Sequence, residues 1–332
     1  MSAGRVPEIF PSNLLMQNLA QNGAMSVWQR SGTTVSAIAT SNYSADRFIT
    51  YWNGSGAVIN QSRQDLTRAE RLIIGNGITN YFRWSQATAG TAATFHIVSQ
   101  YMENLCRFLG KTVTLSFWAK ADAARTVNTS FMKRYGTGGS ADEDLTPITA
   151  HSLTTTWQRF SKTITISDDD LKTFGPDNTS ALRFGFYLPL NVIQVIDITG
   201  VMVNPGSEVA PFSDAGPQEI VLLQRAFEKS YDVDVTPGAL TQGGAAFTRP
   251  QFTTLGNTTD TRYKVTKRVT PTLTAYSPGS GTAGFVRDES TGVDKSANLA
   301  IISTSSFWWG QAGTIVSNDA ISLHYTSDAD FY

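Results

Sequence analysis

Two short stretches of the sequence place aromatic rings beside amide, glycine or guanidinium groups, a combination that can bind sugar. They are residues 51–54 (YWNG) and residues 81–84 (YFRW). A sugar ring stacks its apolar face on an aromatic plane, while its hydroxyls need hydrogen-bonding side chains nearby. The candidate carbohydrate-binding residues are Tyr51, Trp52, Asn53, Tyr81 and Trp84. The alternative, that these rings fill a core or a subunit contact, stays open because aromatic residues dominate both.

A second aromatic group lies in the C-terminal part of the sequence. Residues 214–332 contain a predicted amphipathic helix and two Trp residues that follow each other in the sequence. We therefore expect apolar surface that another copy of the chain covers. The candidate oligomer contacts are Phe227, Tyr231, Trp308 and Trp309. A monomer with all of these rings internal is the alternative.

Acidic clusters at residues 142–144 and 168–170 raise the question of a metal ion. Calcium prefers several oxygen ligands, but neither cluster has alternating Asp or Asn ligands around a central Gly. A solvated loop is the simpler interpretation of each. We therefore predict no metal site and no cofactor, with calcium as the one ion left open.

Sequence motifs for catalysis are absent. The chain has no Gly-x-Ser-x-Gly elbow, no phosphate-binding loop and no His-Glu-x-x-His stretch. A glycosidase needs only two suitably spaced carboxylates, and 27 Asp and Glu residues supply such pairs by chance. The expectation is that the protein is not an enzyme, with a polysaccharide depolymerase as the alternative.

The composition of the chain excludes further classes of binding partner. The chain has 332 residues, of which 26 are Lys or Arg and 27 are Asp or Glu, for a net charge of −1. So few cations argue against nucleic acid as a partner. No apolar stretch approaches the length of a membrane span, and residues 1–10 lack the apolar segment of a signal peptide. The single cysteine, Cys106, excludes an intramolecular disulfide.

The sequence pattern predicts that the elements positioning these side chains are mainly short strands. Apolar and polar residues alternate over residues 111–119 and 157–166, and turn residues separate further runs of this kind. Helical spacing predicts two helices, over residues 100–109 and 218–231. The chain is therefore predicted to be all-β, with a sandwich of strands as its main unit.

Turn-rich segments at residues 204–206 and 211–217 separate two blocks of apolar patterning. They divide the chain into an N-terminal arm (residues 1–12), a first domain (residues 13–213) and a smaller β-rich domain with one helix (residues 214–332). The arm has little reason to order by itself.

Several motifs of the first domain resemble a family of bacteriophage virion proteins. They are residues 13–15 (NLL), 27–32 (VWQRSG) and 43–48 (YSADRF). Residues 114–122 (TLSFWAKAD), 156–160 (TWQRF) and 201–212 (VMVNPGSEVAPF) resemble the later strands of a carbohydrate-binding-module-like jelly roll. This resemblance implies a jelly-roll β-sandwich in which Trp118 and Trp157 belong to the scaffold.

The C-terminal part is similar to segments that follow such jelly rolls in phage head and tail fibres. The similar segments are residues 223–238 (LQRAFEKSYDVDVTPG) and 268–278 (RVTPTLTAYSP). The resemblance implies a virion surface location and a homo-oligomer, a trimer being the expected form. The N-terminal arm would attach the protein to a capsid or tail protein.

Three functions follow from these observations. The first is a fibre, spike or decoration protein whose jelly roll binds host surface polysaccharide without cleaving it. The second is a structural adaptor or capsid-cementing protein that binds no sugar. The third is a capsular polysaccharide depolymerase.

Overall fold

Alternating polar and apolar side chains make most of this chain β-strand. Thr112–Ala121 is typical, because Val113, Leu115 and Phe117 all point into one buried layer. The structure is a computed structural model that describes residues 18–32, 34–36, 41–75, 77–168, 171–176, 178–249, 259–312 and 320–331. The predicted N-terminal arm lies outside the described residues.

The first sheet has six antiparallel strands, numbered here along the chain. They are β1 (Thr34–Ser36), β4 (Val58–Asp65), β5 (Asn80–Thr88), β7 (Thr112–Ala121), β10 (Gln158–Thr165) and β12 (Gln194–Pro205). Their spatial order is β1-β4-β5-β12-β7-β10. A seven-residue helix, α1 (Arg68–Ile74), packs apolar side chains toward the outer face of this sheet, near Tyr81 and Trp157.

The second sheet also has six antiparallel strands. They are β2 (Ser41–Tyr43), β3 (Ile49–Trp52), β6 (His96–Glu103), β8 (Arg125–Arg134), β9 (Glu143–Leu153) and β11 (Ala181–Tyr187). Their spatial order is β2-β3-β6-β11-β8-β9. Successive strands of the chain cross repeatedly between the two sheets.

The inner faces of these two sheets enclose one large core. Its biggest fully buried side chains are Trp28, Phe48, Phe82, Trp84, Phe117, Phe131, Phe184 and Phe186. Two layers of antiparallel strands around one aromatic core form a β-sandwich of the jelly-roll type. The predicted fold class, an all-β chain with a jelly-roll sandwich followed by a smaller β-rich part, is confirmed.

The third sheet comes from the later part of the chain. Its eight strands are β13 (Phe227–Lys229), β14 (Ala246–Thr248), β15 (Thr259–Arg262), β16 (Thr272–Tyr276), β17 (Phe285–Asp288), β18 (Val293–Ala300), β19 (Ser306–Gln311) and β20 (Ile321–Asp328). The strand β20 is central, since β13, β14, β16 and β17 all pair with it. The domain boundary at residue 213 stays a prediction.

The two predicted helices differ from the structure. Residues 100–103 belong to strand β6, and only a single 3-10 turn, Leu105–Arg107, follows. The helix prediction was wrong there because pairing of these residues with β11 outweighs local helical spacing. The second helix is limited to α2 (Glu219–Gln224), since β13 then pairs with β20. Neither α-helix of the described part is long and apolar enough to cross a membrane.

A short segment after β20 joins the third sheet to the second. The Asp330 carboxylate forms an ion pair with the buried Arg47 guanidinium, and the Phe331 ring stacks on Tyr101 with 5.3 Å between centroids. Arg268 donates from Nε to the Ala329 carbonyl at 3.0 Å. Residues 329–331 therefore lie against the outer face of the second sheet, where the candidate site is found.

Candidate functional site

Strand register arranges the outer face of the second sheet in three rows of side chains. The tyrosine row contains Tyr51, Ile97, Tyr187 and Asn128 on β3, β6, β11 and β8. The small row contains Ser99, Gly185 and Ser130. The arginine row contains Tyr101, Arg183 and Met132. Residues two apart along a strand share a face, so all three rows point away from the sandwich core.

Two adjacent depressions occupy this face, and together they are named the groove. One, of about 430 Å³, is lined by Tyr51, Phe95, Ile97, Tyr101, Met132, Arg134, Asp142 and Arg183. The other, of about 290 Å³, is lined by Thr94, Phe95, His96, Thr126, Asn128, Tyr187, Leu188, Pro189 and Leu190. Phe95 belongs to both, so its ring lies where the two depressions meet.

The position of Phe95 depends on Asn53. The Asn53 side-chain oxygen accepts hydrogen bonds from the backbone N–H of Thr94 at 2.7 Å and of Phe95 at 3.2 Å. Its amide nitrogen donates to the Thr94 hydroxyl at 2.7 Å. One asparagine therefore fixes the loop that carries an exposed aromatic ring into the groove.

Tyr101 is fixed from three sides. Its hydroxyl lies 3.2 Å from the Tyr51 hydroxyl, and its ring stacks on Phe331. The Arg134 guanidinium lies over the same ring, 5.4 Å from its centroid. Tyr101 is only 6% exposed, so it forms a rigid wall of the groove and not an open stacking face.

Arg183 crosses the middle of the groove. Its Nη2 donates to the Tyr187 hydroxyl at 2.8 Å, which joins the arginine row to the tyrosine row above Gly185. A side chain at position 185 would crowd this crossing, because an added Cβ would lie 3.2 Å from Ile97 Cγ2 and 3.5 Å from Tyr187 Cε2. Gly185 therefore leaves space for the long side chains on either side of it.

The charges at the groove come from arginine and aspartate. Arg183 Nη2 lies 3.8 Å from the Asp144 carboxylate, and Asp142 lines the larger depression. Burial lowers the pKa of His96, although a hydrogen bond with the Pro189 carbonyl opposes the shift. Its imidazole is therefore neutral at pH 7 and adds no charge.

Two other depressions are poorer in aromatic rings. One, of about 260 Å³, lies between Gln100–Phe108 and α2, and includes Tyr101 and Phe108. The other, of about 460 Å³, lies on the third sheet and includes Phe227 and Tyr276. The groove is lined by four rings, those of Tyr51, Phe95, Tyr101 and Tyr187, which is more than line either of these two depressions.

The structure separates the five predicted carbohydrate-binding residues. Tyr51 lines the groove, Asn53 holds its loop, and Trp52 packs against the sandwich core. Trp84 is fully buried in that core, and Tyr81 packs edge-on against Trp157 under α1. A buried ring has no face for a sugar, so Trp84 and Tyr81 are structural here.

The predicted oligomer contacts are likewise mostly internal. Phe227 and Tyr231 are buried, with Tyr231 stacked on His324 at 3.7 Å between centroids. Trp309 is buried and donates from Nε1 to the Thr261 hydroxyl at 2.8 Å. Trp308 is different, because 42% of its surface is exposed. Adjacent residues of a strand face opposite ways, which puts this ring alone on the outside.

The acidic cluster at residues 142–144 is described in full, whereas only Asp168 of the cluster at residues 168–170 is. Within the described residues, no three His, Cys, Asp or Glu side chains are grouped to hold an ion. Glu143 instead lies 3.7 Å from Lys133 Nζ, and it accepts a hydrogen bond from the Tyr135 hydroxyl at 3.2 Å. The prediction for residues 169 and 170 lies outside the described residues.

One pair of carboxylates shares a cation on the outer face of the first sheet. Lys120 Nζ lies 2.7 Å from Glu70 and 3.9 Å from Asp197. Partial burial acts to raise the pKa of Glu70, but hydrogen bonds from Lys120, Thr67 and Trp157 outweigh it and lower the pKa to about 2. Burial raises the pKa of Asp197, although its two oxygens accept from Arg83 at 2.8 and 2.9 Å.

Sequence reasoning missed three residues that define the groove. Tyr101 was placed on a helix, and Phe95 and Arg183 were not singled out. Strand β11 carries large side chains on both of its faces: Phe184 and Phe186 point inward, and Arg183 and Tyr187 point outward. A strand with bulky residues on both faces was the available signal for a functional outer face.

Comparisons with known proteins place the chain beside sandwich domains at low similarity. No family model and no curated protein matches it. A CBM4 structure shares 19% identity over 56% of this chain and 98% of its own, with a TM-score of 0.34. The xylan-binding CBM22-1 domain of Paenibacillus barcinonensis Xyn10C shares 10% over 54% and 99%, with a TM-score of 0.32. The enzymatically active domain of bacteriophage CBA120 tailspike protein 4 shares 13% over 57% of this chain and 21% of its own, with a TM-score of 0.36.

Proposed function

We propose that this chain is a phage virion surface protein, of the fibre, spike or decoration type, that binds host surface polysaccharide through the groove without cleaving it. The observation that carries the proposal is the set of aromatic rings that line the groove, of which Phe95 is the most exposed, with Arg183, Arg134, Asn128 and Asp142 beside them. Rings supply stacking surfaces for sugars, and the polar side chains supply partners for hydroxyls.

The size of the groove suits several linked sugar rings rather than one. Tyr51 and Tyr187 are separated by two strand spacings, which is about 10 Å, and Ile97 and Tyr101 by about 13 Å along β6. Phe95 lies between the two depressions, so an extended ligand can contact it from both sides. We therefore propose a polysaccharide chain, not a monosaccharide, as the ligand.

The pair of carboxylates formed by Glu70 and Asp197 favours binding over hydrolysis. A glycosidase needs one carboxylic acid that is still protonated at working pH. The pKa of Glu70 is about 2, so this group is ionised, and its neighbour Asp197 is occupied by Arg83. Asp197 lies on β12 of the first sheet and Glu70 on α1 beside it, whereas the groove lies on the second sheet.

The virion location and the assembly rest on sequence resemblance and on exposed surface. The motifs at residues 27–32 and 43–48 resemble phage virion proteins, and Trp308 offers an exposed ring on the third sheet. We propose a homo-oligomer, a trimer being the form that the resemblance implies, with residues 1–12 attached to a capsid or tail protein. Repeated copies would strengthen binding to a repeating polysaccharide.

A glycan array with the full-length protein tests the proposal. Wild type is compared with Phe95→Ala in the groove and with Phe247→Ala, an exposed phenylalanine on β14 of the third sheet. We expect retention of at least one polysaccharide, weakened about threefold to tenfold by Phe95→Ala, since one aromatic stacking contact contributes about 0.5–1.5 kcal/mol. The Phe247→Ala variant should match wild type.

The other two functions correspond to other outcomes. An array without signal, from a protein that still incorporates into virions, would favour the structural adaptor. Release of reducing sugar from a retained polysaccharide would instead identify a depolymerase.

A further inference from the structure

Arg183 has a hydrogen-bond donor that no described residue uses. Its Nη2 donates to the Tyr187 hydroxyl, but its Nε is buried and has no acceptor among the residues that the structure describes. The residue as a whole is only 8% exposed. A buried charged donor without an acceptor is unfavourable, so this group is a candidate for a role in binding.

Two other arginines of the same chain show what can fill this edge of a guanidinium. Arg83 donates from Nε and Nη2 to the two oxygens of Asp197, at 2.8 and 2.9 Å. Arg125 donates from the same two nitrogens to Asp122, at 3.1 and 3.0 Å. The Nε and Nη2 edge matches a carboxylate in geometry and charge. In Arg183 that edge holds one neutral hydroxyl.

Among the described acids, Asp144 is a weak competitor for this edge. Asp144 lies 3.8 Å from Nη2, beyond hydrogen-bond distance, and 72% of its side chain is exposed. An exposed carboxylate keeps its hydration and gains little from such a pair. A carboxylate brought by a ligand into the groove would meet the buried guanidinium at shorter range.

The floor under Arg183 offers further partners. The hydroxyls of Ser99 and Ser130, on either side of Gly185, are buried and have no hydrogen-bond partner among the described residues. These two hydroxyls and Arg183 Nε are three unused polar atoms at one place on one sheet face. Such grouping is expected where a ligand supplies the missing partners.

Resting on the proposed function, we infer that the polysaccharide is acidic and that Arg183 recognises its carboxylate groups. The ligand belongs to the class of uronate-containing polymers. Arg183 lifts from Tyr187 to present its Nε and Nη2 edge, which uncovers the unpartnered hydroxyls of Ser99 and Ser130 for neighbouring ligand oxygens. The exposed ring of Phe95 then contacts a sugar face.

The test compares acidic polymers with their own neutral forms. The full-length protein is titrated with polygalacturonate, alginate and hyaluronan, each beside a sample whose carboxylates have been chemically reduced to alcohols, and with neutral xylan. Variants are Arg183→Gln, Arg183→Lys and the control Arg262→Gln, an exposed arginine on β15 of the third sheet. Thermal melting confirms that each variant is folded.

We expect wild type to bind at least one acidic polymer about tenfold to hundredfold more tightly than its reduced form, as a bidentate charge-assisted pair would give. Arg183→Gln should remove that difference, Arg183→Lys should restore part of it, and Arg262→Gln should leave it unchanged. Equal affinity for acidic and reduced forms, or binding to xylan alone, overturns this inference and leaves the proposed function standing. If the protein binds none of these polymers and nothing on the array, both this inference and the proposed function are overturned.

Discussion

The rings of Tyr101 and Phe331 stack with 5.3 Å between their centroids, although 230 residues separate them in the chain. Tyr101 lines the groove on the second sheet, whereas Phe331 follows the last strand of the third. The later part of the chain therefore positions a ring of the candidate site in the earlier part. Binding and the packing of residues 329–331 should change together.

Removing the Phe331 ring should test this link. Phe331→Ala should lower the free energy of unfolding by about 3 kcal/mol, because a buried phenylalanine is lost. It should also weaken polysaccharide retention, since Tyr101 loses the ring that supports it. Urea denaturation and affinity electrophoresis measure the two effects. The exposed Phe247→Ala should change stability by under about 0.5 kcal/mol. If the Phe331→Ala protein is destabilised but retains polysaccharide as wild type does, then binding does not depend on the contact between Phe331 and Tyr101.

Asp46 should make stability depend on pH. Its burial raises the pKa to about 6, although Arg30 and hydrogen bonds from Gln29 oppose the shift. The folded protein thus holds this proton more tightly than the unfolded chain, so the stabilisation is complete below about pH 4 and is lost as pH rises through 6. The loss amounts to about 3 kcal/mol between pH 4 and 7, from 1.36 kcal/mol per pKa unit.

Asp46→Asn isolates that contribution. The amide oxygen can still accept from the Gln29 backbone N–H, which bonds the carboxylate at 2.9 Å, but it does not titrate. Urea denaturation from pH 4 to 8 should therefore show a smaller fall in stability for the variant than for wild type. Parallel pH profiles for the two proteins would contradict the assignment.

Asn53 should matter for binding more than for stability. In Asn53→Ala the backbone N–H groups of Thr94 and Phe95 lose their acceptor, but the loop is exposed and water can replace it. We expect weaker polysaccharide binding with an unfolding free energy within about 1 kcal/mol of wild type. Isothermal titration and urea denaturation measure these. Asn298→Ala, at an exposed position on β18, is the matched control, and a similar loss of affinity there would remove the role assigned to Asn53.

The Trp pair of β19 should divide into two effects. Trp309→Ala should cost about 3–5 kcal/mol because that ring is buried in the third-sheet core. Trp308→Ala should leave stability within about 1 kcal/mol but weaken self-association, since its ring is exposed. Sedimentation velocity at several concentrations reports the second effect. A Trp308→Ala protein that sediments as wild type does would exclude this ring from the subunit contact.

The fold class followed from the sequence because strand periodicity is local. Val113, Leu115 and Phe117 alternate with polar residues, and this alternation predicts a strand whose apolar side chains all lie on one face. The same local reasoning failed for Tyr101, because apolar residues spaced three or four positions apart over residues 100–109 predicted a helix there. Pairing of Tyr101 with Arg183 on β11 overrode it, and such pairing joins residues far apart in the chain.

The sequence by itself determined which chemical groups were present, and only the tertiary structure decided which of them share a surface. Tyr51 and Trp84 have similar sequence surroundings, yet one lines the groove and the other fills the core. The row of Ser99, Gly185 and Ser130 depends on the register of three strands, and the support of Tyr101 by Phe331 depends on a contact between distant segments. Residue type and spacing fix side-chain chemistry and local periodicity, whereas register and sheet packing depend on the free energy of the whole chain.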